Sequence, residues 1–182
     1  MSYDGPDAIT PDTKNWTWVL ERPCPQCGLD TTRIEPIQVA GRLDAAAAAF
    51  AEVLRGGDVR TRPEPGVWSP LEYGCHVRDV FRVFGERLRL MLTEDDPLFE
   101  NWDQDATAVA ERYAEQDPAA VADELRAAAA DTTARLDAVS GGQWLRTGRR
   151  TDGSVFTVAS LSRYLLHDPI HHYYDVTGVT AA

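Results

Sequence analysis

The chain has 182 residues, 43% hydrophobic and 26% charged, enough to bury a core as one domain without disulfide staples. Its 18 Lys+Arg stand against 29 Asp+Glu, and the formal charge of −11 repels phosphate backbones and anionic lipid, which disfavours nucleic acid and membrane as partners. No apolar run approaches the roughly 20 residues of a bilayer span.

Met1 to Pro11 is polar and acidic, without a basic start or an apolar signal core, and reads as a disordered lead-in to a cytoplasmic protein. Asn15-Trp16-Thr17-Trp18-Val19-Leu20 then alternates enough to suggest an extended arm, followed by the turn-rich Pro23-Cys24-Pro25-Gln26-Cys27-Gly28. A first helix is expected from near Pro36 to Gly56-Gly57, on the stripe Leu43, Ala47, Phe50 and Leu54. The second has the clearest start: Ser69 as cap, Pro70 at the first helical position, and Glu72 closing a capping box. Its inward stripe runs Tyr73, His76, Val80, Phe84, Leu88, Met91, and Asp95-Asp96-Pro97 ends it. A short amphipathic segment around Ala106 to Tyr113 crosses to a third helix, which opens at Asp117-Pro118 and stops at Gly141-Gly142. Residues 143–156 read as a Gly- and Arg-rich loop turning at Asp152-Gly153, and a last helix runs from about Thr157 to Asp175, with Gly178 as its stop. Four long helices with one crossover make an all-α four-helix bundle with an N-terminal extended arm. The expected organisation is a single domain, 1–182, with the arm over 1–33 and the bundle over 34–182.

The placement of the four histidines carries the chemistry. His167 and His171, four apart, share one helix face and can converge on one ion; His76 from the second helix would complete a three-nitrogen set. Three imidazoles with open positions are the pattern of catalytic zinc, whereas the alternative is three satisfied core histidines. His172 points about 100° away from His171, behind the ligands or at the surface, and Tyr164 and Tyr174 extend the ligand face as supports. Pro169 removes a hydrogen bond to the Leu165 carbonyl, so the helix is expected either to kink or to break there.

There are three cysteines, an odd number and too few for a disulfide framework. Cys24-x-x-Cys27 has the spacing of half a zinc knuckle, but no second Cys-x-x-Cys completes four ligands. A redox pair is the next reading; the preferred one is that the arm folds over the bundle with structural cysteines. Cys75 points away from His76 and packs as a small hydrophobe.

Trp68-Ser69-Pro70-Leu71-Glu72-Tyr73-Gly74-Cys75-His76-Val77 and Leu166-His167-Asp168-Pro169-Ile170-His171-His172-Tyr173-Tyr174-Asp175-Val176, with the Cys-Pro-x-Cys-Gly arm, resemble the DinB-like superfamily. The likeness is to its actinobacterial, mycothiol-linked members, the mycothiol-dependent S-transferase and maleylpyruvate isomerase-like subgroup. It covers most of the chain from about residue 35 onward. It implies a divalent metal on His76, His167 and His171, with zinc first and nickel, iron or manganese as the other candidates. It also implies a low-molecular-weight thiol, mycothiol above all, attacking a small electrophile. Arg146, Arg149, Arg150 and Asp152 in the loop before the last helix, with Trp102 and Tyr113, are the candidate thiol-binding residues. The alternatives are a non-catalytic metal-binding stress-response protein, which would keep the histidines, and a redox protein dependent on Cys24 and Cys27. Either a monomer or a homodimer is compatible with the sequence. No Gly-x-Ser-x-Gly, Walker A or Gly-x-Gly-x-x-Gly motif occurs.

Overall fold

Three of the four long helices begin at a residue whose side chain answers an open N–H group of the first turn. The computed structural model describes residues 9–11 and 14–180, so most of the expected lead-in lies outside the described residues. A 3-10 turn at Pro36–Gln38 leads into α1 (Val39–Leu54). Ser69 and Glu72 form the reciprocal capping box of α2 (Pro70–Thr93), and Asp103 caps the short α3 (Gln104–Ala110). Asp117 accepts from the Ala120 N–H to start α4 (Pro118–Asp137), and Thr157 starts α5 (Val158–Thr177). Gly178, at φ 72°, takes the left-handed conformation that ends α5. Helices α4 and α5 each pack against both α1 and α2, so consecutive α1 and α2 stand largely across the bundle from one another. Their apolar stripes, including Leu43, Phe50, Phe81, Leu88, Leu125 and Leu165, are fully buried between them. Among the described residues no helix is long and apolar enough to cross a membrane.

Two segments differ from the expectation. Residues 143–156 are not a loop: β2 (Thr147–Arg150) pairs antiparallel with β3 (Val155–Thr157) across a turn at Gly153, φ 92°. β1 (Leu98–Phe99) pairs parallel with β2 to complete a small sheet. Gly148 lets this sheet approach α2, since a Cβ there would lie 2.7 Å from Met91 Cγ and 2.9 Å from Phe99 Cε1. The arm is not extended either: Trp16–Leu20 is a 3-10 helix. No described strand lies beside it, so its backbone groups are satisfied locally instead. Asn15 Oδ1 accepts from Thr17 N (3.0 Å), and the Trp16 and Trp18 rings stack at 5.6 Å.

Candidate metal centres on the last helix

Two turns of α5 carry four donors in two pairs, His167 with His171 and Asp168 with His172, each pair four residues apart. The pairs therefore face directions about 100° apart. Pro169 neither breaks the helix nor ends it, since α5 continues to Thr177. The expected triad is divided by this arrangement: His76 faces one pair and the cysteines of the arm face the other.

On the first face, donor atoms of Cys24, Cys27, His167 and His171 all lie within 4.8 Å of one another, and all four residues are buried. Cys24 Sγ lies 3.7 Å from His171 Nδ1, while His167 Nε2 is buried with no hydrogen-bond partner among the described residues. Burial pushes the Cys27 thiol up to about 12, with Cys24 adding to the rise. Burial and the neighbouring His171 pull His167 down to about 4, so its imidazole is neutral and available as a donor.

On the second face His76, Asp168 and His172 come together, again within 4.8 Å. His76 Nε2 is 3.5 Å from Asp168 Oδ2, and His172 Nε2 is 3.9 Å from the same oxygen. His76 is fully buried, yet among the described residues neither of its ring nitrogens has a hydrogen-bond partner, and Asp168 Oδ1 has none. Such orphaned atoms are costly unless something absent from the polypeptide answers them. Metal–ligand bonds of about 2.0–2.2 Å put neighbouring donors roughly 3–3.5 Å apart, so this set fits a divalent ion with little adjustment. Burial raises the Asp168 carboxyl, but the His76 and His172 imidazoles outweigh it and hold the group at about 2. Asp175 Oδ2 lies 2.9 Å from His172 Nδ1, which orients the ring and leaves Nε2 for the ion. Trp102 stacks on His76 with centroids 5.4 Å apart, and Trp68 covers the ring from another side at 5.2 Å.

A cavity of about 660 Å³ opens beside this centre, with Asp168 and His167 in its wall. Trp102, Arg150 and Asp152 line it as expected thiol-binding candidates, together with Tyr164 and Arg87. The remaining candidates lie elsewhere. Arg146 donates to the Met91 and Glu94 carbonyls, tying β2 to the end of α2, and Arg149 pairs with Asp96 at 2.9 Å. Tyr113 is buried and donates to Asp79 Oδ2 (2.6 Å). Tyr174 packs against the core, and its carbonyl accepts from Gly178. Sequence reasoning passed over Asp168, Asp175 and Arg87. The first was legible, because Asp168 and His172 satisfy the same four-residue spacing as the two histidines. Arg87 was too, since it continues the His76, Val80, Phe84 face. Arg87 is 5% exposed and its guanidinium donates to the Glu100 carbonyl (2.9 Å); among the described residues no carboxylate pairs with it. Burial, with Arg150 nearby, pulls it down to about 10.

Fold and donors together define a four-helix bundle with imidazole-rich, metal-type donor sets on its last helix. The chain belongs to the DinB superfamily, whose family model matches residues 39–176. Its structure is similar to that of YfiT from Bacillus subtilis, described as a probable metal-dependent hydrolase with an unusual four-helix bundle topology. The two share 20% identity at a TM-score of 0.70, over 94% of this chain and 91% of that one. No curated protein matches the chain.

Proposed function

We propose that the protein is a cytoplasmic metal-dependent transferase that joins a low-molecular-weight thiol, mycothiol in the first instance, to a small acidic electrophile. The observation that supports this most is the fully buried His76, whose ring nitrogens have no hydrogen-bond partner among the described residues, beside His172 and beside Asp168, which lines the wall of a polar cavity. A divalent ion held there supplies a Lewis acid that makes a bound thiol or water more acidic. Asp168 is the only anion among the three donors, so a dication leaves net positive charge, which favours an anionic ligand. Asp175 holds the His172 tautomer, and Trp102 and Trp68 shield His76 from water. Arg87 in the cavity wall has no carboxylate partner among the described residues, which suits it to a carboxylate on the electrophile. Arg150, paired with Asp152 at 2.6 Å, is held at the same cavity. The net step is a substitution: a carbon–sulfur bond forms, the carbon–leaving-group bond breaks, and the thiol proton departs with the leaving group.

The test is turnover of chloroacetate by zinc-loaded protein with mycothiol or other thiols. His76→Ala and His172→Ala should lose more than the roughly 10–100-fold typical of residues that only support a ligand. Arg87→Met should raise KM for chloroacetate but not for chloroacetamide. Ester hydrolysis without any thiol would instead favour a hydrolase, the reading that the likeness to YfiT supports. Zinc binding without turnover of either kind would leave a metal-binding protein.

A further inference from the structure

Cys24, Cys27, His167 and His171 are not needed for the centre just described, and their burial calls for its own explanation. The Cys-Pro-Gln-Cys-Gly segment is a tight turn: Gly28 N donates to Cys24 O (2.9 Å), Cys24 N donates to Leu29 O (2.9 Å), and Gly28 has φ 78°. This turn faces His167 and His171, four residues apart on α5, and the Trp16 ring lies over both imidazoles at 5.3 and 4.8 Å. Neither cysteine is more than 1% exposed, and His167, 3% exposed, has an Nε2 with no hydrogen-bond partner among the described residues.

We infer that these four residues form a closed, tetrahedral Zn²⁺ site that fastens the N-terminal arm to the last helix. Tetrahedral zinc with Zn–S of about 2.3 Å and Zn–N of about 2.0–2.1 Å separates sulfur from nitrogen by roughly 3.5–3.6 Å. The observed 3.7 Å between Cys24 Sγ and His171 Nδ1 is close to that. Binding releases two thiol protons to solvent, and two thiolates neutralise the dication, so the assembled group carries no net charge into a buried setting. Four protein ligands leave no open position, which makes the site structural. A Cys24–Cys27 disulfide would leave His167 Nε2 as orphaned as before. The site also reaches the neighbouring centre, because Asp175 Oδ2 lies 2.9 Å from His172 Nδ1 and 3.7 Å from His171 Nε2.

Cobalt(II) is the probe, since thiolate ligation adds ligand-to-metal charge transfer in the near ultraviolet and intense visible bands of a tetrahedral ion. The full chain loaded with Co²⁺ should show both, and Zn²⁺ should displace them. His76→Ala/His172→Ala should retain the charge-transfer band, which separates this site from the proposed catalytic one. Cys24→Ser/Cys27→Ser should lose it, together with about one equivalent of bound metal. Should that variant not fold, His167→Cys gives the same information, because a third thiolate on the ion intensifies the band. A wild-type protein without the band overturns the site, as does a band that survives loss of both cysteines, disappears with His76 and His172, or is unchanged by His167→Cys.

Discussion

Asp175 is a single carboxylate against two imidazoles of different sets. It lies 2.9 Å from His172 Nδ1, while His171 Nε2 approaches to 3.7 Å. A carboxylate behind a ligating histidine fixes its tautomer and makes it a better donor, and removing one commonly costs 10–100-fold in metal affinity. Asp175→Asn keeps the shape but gives up the charge. We expect metal affinity to fall by about that factor at the His76 centre, read by chelator competition, with the circular dichroism of the bundle unchanged. A variant with wild-type affinity would show that Asp175 serves the surface only. The residue scale was half legible in the sequence. His76 was correctly placed inward from the stripe of α2, and the i, i+4 rule found the pair on α5. That rule finds Asp168 and His172 equally well, and nothing local says which pair faces α2; the choice depends on the rotation of α5 about its axis, a property of packing.

At the scale of elements, α2 and α4 are held together by a buried polar cluster as well as by apolar stripes. Arg78 donates to both oxygens of Asp79, at 2.9 and 3.0 Å, and to Glu124 on α4 at 3.0 Å. Tyr113, at the crossover before α4, donates to the same Asp79. Burial raises the Asp79 carboxyl, but hydrogen bonds from Arg78 and Tyr113 and the Arg78 and Arg82 cations outweigh it, so its pKa is lowered. A lowered carboxylate adds stability above its unfolded value of about 3.9, and that stability disappears as pH falls through the folded value. Asp79→Asn should therefore destabilise the chain at neutral pH, toward the lower end of about 3–5 kcal/mol because Glu124 still neutralises Arg78. The variant should also lose less further stability than wild type below about pH 4, a comparison made by urea titration at each pH. Helix ends were read closely from local chemistry, since Ser69, Asp117, Thr157 and Gly178 act on neighbours only a few residues away. The sheet was not, because β1 and β2 are separated by α3 and α4, and short strands leave no periodic trace in a Gly- and Arg-rich stretch.

Over the whole molecule, the arm is part of the core. Val19, Cys24, Cys27 and Leu29 are all buried, and Thr31, also buried, donates its hydroxyl to the Val19 carbonyl. On the other side, Arg163 of α5 donates to the Ile34 carbonyl at 2.7 Å. The sequence division into an arm and a bundle thus describes the chain's order, while packing joins them. In the sequence the half zinc knuckle reads as incomplete, and His167 and His171 read as completed by His76; the contact that brings the two motifs together runs across 147 positions, between Cys24 and His171. Such a contact has no local signature. Removing residues 1–33 would uncover His167 and His171 together with the apolar surface beneath Val19 and Leu29. Burying each such aliphatic side chain contributes about 1.5–3 kcal/mol, and a whole domain is stable by only about 5–15 kcal/mol. We therefore expect the 34–182 fragment to melt well below the full chain and to bind a hydrophobic dye before its main transition. Added Zn²⁺ should raise the melting temperature of the full chain more than that of the fragment, because only the full chain joins the cysteines to the histidines. A fragment that melts with the full chain and gains as much from zinc would return the arm to an appendage.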